Sequence, residues 1–396
     1  MTDTIVRIAA RGDGVTETGR HIPFTALGDR VHADGTIEPG PHRAEPPCRH
    51  FPECGGCQLQ HVDDTAYAGF LVDRIASALM GQGVAVPEIL PPHISPTVSR
   101  RRASFRAESR GRQVRLGFNA EKSSRIVDMH ECFILRPELF ALVEPLRRLL
   151  GELLGPRGSG GVRMTLADQG PDILLENVPV AGLQATERVT DFANAHRIAR
   201  LATDDGDGPQ TRWEPEPVTI TLGGAPVPLP QGAFLQATDQ GEATLVEAVR
   251  EAVGPARILA DLFAGLGTFA LSLQGRILAV EGGRDAALAL KSAANRAQRT
   301  IFVDHRDLFR RPLDEQELSR FEAVVIDPPR AGAREQAEML ARSSVSRIAS
   351  VSCNPSTFAR DAKILIEGGY GLDWIKPVGQ FRWSTHVELA ARFSRE

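Results

Sequence analysis

The chain has 396 residues, 42% of them hydrophobic, and a formal net charge of −4 at pH 7. That length suggests two or three domains with a sizeable core, and the charge excludes bulk electrostatic attraction to nucleic acid while leaving room for a local basic patch. No stretch approaches the roughly 18 unbroken apolar residues of a membrane span, and Met1-Thr2-Asp3-Thr4 does not read as a charged and apolar leader, so a cytoplasmic protein is expected.

Residues 1–45 are rich in Gly, Asp, His and Pro, with short apolar pieces such as Ile5-Val6-Arg7-Ile8. They suggest two or three small strands and no core of their own. Over 63–80, Tyr67, Phe70, Leu71, Ile75 and Leu79 recur at helical spacing and predict an amphipathic helix. Residues 91–215 alternate more like strands, as at 102–107, 114–118 and 172–176, with a helical stretch from Leu139 to Leu154. The run Asp204–Pro217, heavy in Gly, Asp, Pro and Glu, reads as a loop or linker. From about 216 strands and helices alternate. Strands are expected at 257–261, 277–281, 321–327 and 347–352, with helices opening at Gly267 and covering 285–299. This is the pattern of an open, mostly parallel α/β sheet.

Five cysteines divide into two groups. Cys48, Cys54, Cys57 and Cys132 form a cluster with one distant partner, whereas Cys353 stands alone in Ser352-Cys353-Asn354-Pro355. Clustered thiols in a cytosolic protein point to a metal centre rather than disulfides. A lone thiol beside a nucleotide-binding pattern suggests a nucleophile, the alternative being a buried structural thiol.

The nucleotide pattern is Asp261-Leu262-Phe263-Ala264-Gly265-Leu266-Gly267, a strand ending in a glycine turn that lets backbone approach a ligand closely. The same glycines formally fit a dinucleotide fingerprint. Three acids tilt the reading toward S-adenosylmethionine: Asp261 ahead of the glycines, Glu281 at the end of the next strand, and Asp307 after it, although Asp307 serves equally well as a cap. Asp327-Pro328-Pro329-Arg330 closes the following strand in a loop stiffened by two prolines. Amine methyltransferases carry an aromatic where Arg330 stands, so a ring carbon is the better target.

Carbon 5 of a pyrimidine is a poor nucleophile until a thiolate adds to carbon 6, and a base must afterwards remove the carbon 5 proton. This chemistry needs one cysteine and one general base near the methyl donor. Cys353 ends a strand of the α/β sheet, and Glu388 in His386-Val387-Glu388 is the best candidate base, with a plain surface carboxylate as the alternative.

These pieces resemble the RNA uracil-C5 methyltransferases that make 5-methyluridine. The matching residues are Cys48, Cys54-Gly55-Gly56-Cys57-Gln58, Gln60-His61, Phe234 and Gln236, the 261–267 turn, Asp327-Pro328-Pro329-Arg330 with Gly332, Ser352-Cys353-Asn354-Pro355, and His386 with Glu388. The resemblance covers nearly the whole chain and is weakest in 140–215. It implies an α/β fold: a Rossmann-like class I methyltransferase domain over 216–396, an α+β domain for cluster and RNA over 46–215, and a short β arm over 1–45 in place of an RNA-binding barrel. It further implies Cys353 as nucleophile, Glu388 as base, Asp327 near the uracil, and Gln236, Asp261, Gly265, Gly267, Glu281, Asp307 and Asp327 around the cofactor. Cys48, Cys54, Cys57 and Cys132 resemble the ligands of a 4Fe-4S cluster; a four-thiolate zinc site is the alternative. The cluster-bearing branch implies 23S rRNA as substrate, with tRNA as the second choice, and a monomer.

Some residues depart from the family pattern. Thr238 replaces an Asn, and Arg382, Trp383 and Ser384 replace a Pro-His-Thr run after Phe381. Arg100, Arg101, Arg102, Arg106, Arg110, Arg112 and Arg115, with Phe105 and Phe118 interleaved, form the expected RNA-contacting stretch, or simply a solvated strand face. The RNA would present its base unpaired or flipped. Two other readings remain at this point. A cytosine-C5 enzyme would ordinarily carry a second cysteine beside Cys353, and a non-catalytic cluster-bearing RNA-binding protein would have no need to keep Cys353 and Glu388.

Overall fold

The computed structural model describes residues 2–111 and 113–395. Its contacts divide the chain into two units. The first holds Met1–Tyr67, Pro96–Ile220 and Arg382–Thr385; the second holds Ala68–Ser95, Thr221–Phe381 and His386–Glu396. Among the described residues no helix is long and apolar enough to cross a membrane.

The first unit opens with more structure than its composition suggests. Five short strands lie between Asp3 and Glu38, ordered around the central strand Asp3–Ile8. Ile5, Val15, Ala26 and Val31 are buried there, so the segment has a small core. Asp29 ties it together: its fully buried carboxylate accepts from the Ala26 and Gly40 amides and pairs with Arg43. Polar side chains thus do locally what a long apolar run would do in a larger sheet.

A second sheet of six strands follows, in the order Gln210–Trp213, Arg200–Asp204, Gly170–Glu176, Ser159–Ala167, Arg102–Arg110, Gln113–Gly117. Only the pair Gly170–Glu176 and Arg200–Asp204 is parallel, and its crossover is the helix Gly182–Ala195. The helix expected from Leu139 to Leu154 is broken into Pro137–Phe140 and Val143–Leu153. Pro145 has no N–H for the Ala141 carbonyl and its ring crowds that position. Strand Gln210–Trp213 sits inside the segment read as a linker, anchored where the Trp213 indole N–H donates to the Ile198 carbonyl at 2.9 Å.

The second unit is built on a nine-stranded sheet. The order runs Ile301–His305, Arg276–Glu281, Ile258–Leu262, Ala323–Ile326, Arg347–Ser352, Glu388–Ser394, Gly371–Gly379, Glu88–Ile89, with His93–Ile94 also pairing Gly371–Gly379. The first five strands are parallel; Glu388–Ser394 runs antiparallel to both its neighbours. Central strands such as Ala323-Val324-Val325-Ile326 are buried throughout, as expected of a sheet covered on both faces. From Ile258–Leu262 the chain builds outward to one side, then returns to place Ala323–Ile326 on the other. Ligands of open α/β sheets bind at this switch point, outside the carboxyl ends of the strands. The helix expected to open at Gly267 does not form: residues 267–273 are a series of turns, because the Ala270 amide donates to the Asp261 carboxylate at 2.8 Å instead of to a carbonyl one turn back.

Candidate active site

The glycine turn after Ile258–Leu262 is shaped from below and from the side. Asp261 is fully buried, and burial pushes its carboxyl up to about 7. One carboxylate oxygen holds the turn from beneath, through Ala270, and the other has no hydrogen-bond partner among the described residues. Glu281 supports the rim: its two oxygens accept from the Gly265 amide at 2.8 Å and the Gly283 amide at 2.5 Å. Gly265 has φ +55, and a Cβ there would project into open space, so the turn leaves a cradle beside Glu281. Asp307 is exposed, its carboxylate accepting from the Phe309 amide at 2.9 Å and pairing with Arg310. That turn carries Phe309 to Phe263, ring centroids 5.4 Å apart. The sequence reading omitted this aromatic pair; an exposed Phe two residues after an expected pocket acid is the signal that could have found it.

Beside the sheet, Gln236 is buried and accepts a hydrogen bond from the Gln380 amide at 2.7 Å. Two residues on, Thr238 caps helix Asp239–Val253, its hydroxyl accepting from the Gly241 amide and contacting the Ser95 hydroxyl at 2.8 Å. The residue that departs from the family pattern is thus a satisfied N-cap.

Strand register assembles the reactive groups. Arg347–Ser352 and Glu388–Ser394 end with Ser352 opposite Leu389, so the next position places Cys353 opposite Glu388. Ile326 pairs with Ser350, which carries Asp327 to the same strand ends. Cys353 is half-buried and Glu388 buried. Burial, then the negative Glu388 and Asp327, push the Cys353 thiol up to about 11, with Arg330 opposing. Asp327 is raised well above the usual carboxylate range by burial, and Glu388 and Asp261 add to that. The proline loop is pinned to the turn after Cys353, since the Asn354 side-chain amide and the Thr357 hydroxyl both donate to the Arg330 carbonyl.

In the first unit, Cys48, Cys54, Cys57 and Cys132 line one cavity with Phe118, Ile134 and Arg100. Burial raises all four thiols, Cys57 to about 12. Among the described residues no three His, Cys, Asp or Glu side chains converge on a point that would hold a single metal ion.

The arginine stretch does not act as one surface. Arg100 turns inward toward Cys132, Cys57 and Cys54, and Arg101 is buried. Along Arg102–Arg110 alternate residues face out, which leaves Arg102 half-buried and Arg106 and Arg110 exposed. Arg106, Arg110 and Arg115 line a cleft with Arg125, a residue the sequence reading passed over because it lies outside the run. Arg112 lies outside the described residues. Phe105 is buried against Phe118 at 4.9 Å, so these rings pack the core rather than stack on bases.

The profile of the family described as tRNA (uracil-5-)-methyltransferase matches residues 230–395. An uncharacterized RNA methyltransferase of Zymomonas mobilis is 52% identical over 99% of both chains. The 23S rRNA (uracil(1939)-C(5))-methyltransferase RlmD of Chromohalobacter salexigens is 30% identical over 93% of this chain and 80% of that one. The chain belongs to the RNA uracil-5-methyltransferase family. In fold it is similar to the tRNA (uracil-54, C5)-methyltransferase of Pyrococcus abyssi, solved with S-adenosyl-L-homocysteine, with a TM-score of 0.75 and 22% identity over 99% of this chain and 100% of that one.

Residues 382–384, where the sequence reading sees a departure from the family pattern, are anchored within the first unit. Trp383 adopts φ +60, and its carbonyl accepts from both the Gln58 and Leu59 amides at 2.8 Å. Arg382 pairs with Asp64 and lies 4.9 Å over the Trp383 ring. The Ser384 carbonyl accepts from the Tyr67 hydroxyl at 3.1 Å. The departures therefore form an anchor on the segment that follows the three close cysteines.

Proposed function

We propose that the protein transfers a methyl group from S-adenosylmethionine to carbon 5 of a uridine in 23S rRNA, through a covalent adduct at carbon 6. The observation that carries this reading is the register that sets Cys353 opposite Glu388, beside Asp327, at the ligand-binding edge of the sheet. The Gly265 cradle, Glu281 and the Phe263–Phe309 pair offer a backbone approach, a carboxylate rim and an apolar plate, which suit a ribose bearing a planar base. When bound, S-adenosylmethionine supplies an electrophilic methyl group.

The Cys353 thiol is protonated at rest and must give its proton to water before its sulfur attacks carbon 6. Attack places the displaced electron pair on carbon 4 oxygen and carbon 5, and carbon 5 then takes the methyl group, with S-adenosylhomocysteine as the leaving group. Glu388 removes the carbon 5 proton, the double bond re-forms, and the thiolate leaves. Asp327, its carboxyl raised by burial and then by Glu388 and Asp261, is the polar group this reading assigns to the uracil. A cytosine-C5 reaction is disfavoured because Cys353 is the only cysteine in the second unit.

The 23S rRNA assignment is supported by the RlmD relative, which matches over most of this chain. Cys48, Cys54, Cys57 and Cys132 would hold a 4Fe-4S cluster. They line one cavity, and Arg100 stands beside Cys54, Cys57 and Cys132 there. The cluster would be structural, since no step above moves an electron. The cleft of Arg106, Arg110, Arg115 and Arg125 would meet RNA phosphates.

Nucleoside mass spectrometry tests the reading on unmodified ribosomal and transfer RNA, incubated with anaerobically purified protein and methyl-labelled S-adenosylmethionine. Labelled 5-methyluridine in 23S rRNA is the expected result. Label in tRNA alone would move the substrate, and no labelled pyrimidine would overturn the reaction.

A further inference from the structure

Helix Pro355–Glu367 starts two residues after Cys353, with Asn354 as its N-cap. The Asn354 side chain is used at both ends. Its oxygen accepts from the Ser356 amide at 3.1 Å, and its NH2 donates to the Arg330 carbonyl at 3.0 Å. Two turns along the same helix, Arg360 and Asp361 reach the same loop. Arg360 donates to the Ala331 carbonyl at 3.1 Å, and the Ala333 amide donates to Oδ2 of Asp361 at 2.8 Å. The two side chains also pair with each other at 2.7 Å.

Gly332 lies between the two grips. Its amide closes a turn onto the Pro329 carbonyl at 2.8 Å, and its φ is +75. A Cβ there would stand 2.5 Å from Nη2 of Arg360 and 2.6 Å from Oδ2 of Asp361. Glycine is therefore what lets the charged pair close on the backbone. One rigid helix thus carries Cys353 at its start and a clamp on residues 331–333 further along. The clamped loop holds Arg330, whose charge favours the Cys353 thiolate against Glu388 and Asp327. Arg360 and Asp361 are not themselves among the largest influences on that thiol. Any effect they have on it passes through the loop.

We propose that Arg360 and Asp361 are positioning residues, which clamp the backbone at Gly332 and so hold Arg330 beside Cys353. Their importance for catalysis rests on the reading of Cys353 as nucleophile.

Labelling of Cys353 by iodoacetamide at pH 8, read on the full chain by peptide mass spectrometry, provides the test and needs neither RNA nor cofactor. Arg330→Ala and Asp361→Ala are each expected to slow labelling about threefold, because the thiolate becomes scarcer. In the Arg330→Ala background, Asp361→Ala is expected to add nothing, because its effect runs through Arg330. A merely structural pair gives the opposite sign: its loss loosens the helix, exposes the half-buried thiol and speeds labelling. Unchanged or faster labelling in either folded single variant, or full additivity in the double variant, overturns the proposal. Should Asp361→Ala fail to fold, Arg360→Met removes the grip on Ala331 and is expected to slow labelling in the same direction; unchanged or faster labelling there also overturns it. Methylation retained by Cys353→Ala refutes the nucleophile reading instead, and the labelling rates still decide the clamp.

Discussion

Cys353 and the four clustered cysteines share one property and differ in another. Burial raises all five thiols. Around Cys353 two carboxylates, Glu388 and Asp327, add to burial and Arg330 opposes them. In the cavity the other thiols are the recurring neighbours, while Glu131 raises Cys48 and Cys132 and Arg100 lowers Cys54 and Cys132. Each site thus has a carboxylate and an arginine nearby; what separates them is that the cavity cysteines adjoin further thiols, whereas Cys353 is the only cysteine of its unit. Burial alone therefore does not separate the two kinds of site; the neighbouring thiols do.

The largest expected effects break the comparison at its two centres. Cys353→Ala should abolish methylation while leaving iron content unchanged. Glu388→Gln should slow turnover by roughly 10²–10⁴ and leave RNA covalently attached, seen as a shifted band on a denaturing gel. A clean gel would remove Glu388 from the role of base. Cys54→Ser should do the reverse, losing most of the iron and the visible absorbance; unchanged iron would remove Cys54 from the ligand set.

Smaller effects sharpen the contrast. With the Cys353 thiol at about 11, roughly one molecule in ten thousand carries the thiolate at pH 7. Alkylation of Cys353 by iodoacetamide, followed by peptide mass spectrometry, should accelerate about tenfold per pH unit up to pH 10. Glu388 raises this pKa, so Glu388→Gln lowers it and should speed labelling several-fold at pH 8; slower labelling would contradict the electrostatics. In the cleft, Arg106→Ala should weaken RNA binding and reduce the slope of log affinity against log salt by about one. The smallest effect belongs to Thr238→Ala, which removes a helix cap and should cost about 1 kcal/mol, read from denaturant unfolding.

Much of the second unit was legible because its parallel strands are short, largely apolar runs, as in Ile258–Leu262 and Ala323–Ile326. Strand Arg347–Ser352 has the bounds expected from sequence, and Ala323–Ile326 lies within its expected range. The turns at 267–273 were not legible, since they depend on the Asp261 carboxylate capturing the Ala270 amide. Alternation along Arg102–Arg110 was visible in the sequence, yet a count of arginines hid its meaning: inward and outward positions differ in kind, and Arg100 precedes the strand altogether. Gln380 escaped because a buried amide pair joins positions 144 residues apart. Of the five strands between Asp3 and Glu38 only two or three were expected, and the small core not at all, because Asp29 rather than apolar periodicity ties the segment together.

The two units are interleaved along the chain, and this constrains how the protein is made. The first unit needs Arg382–Thr385, where Tyr67 reaches a carbonyl 317 residues away. The second needs Glu88–Ile89 and His93–Ile94 to finish a sheet whose neighbouring strand, Gly371–Gly379, is synthesised far later. Neither unit can close before Arg382–Thr385 and Glu388–Ser394 have left the ribosome. Domain-by-domain folding during synthesis, the usual route for larger chains, is unavailable here. Long-range pairing of this kind makes for slow assembly, so a nascent chain stalled before Arg382 would leave both units unfinished at once.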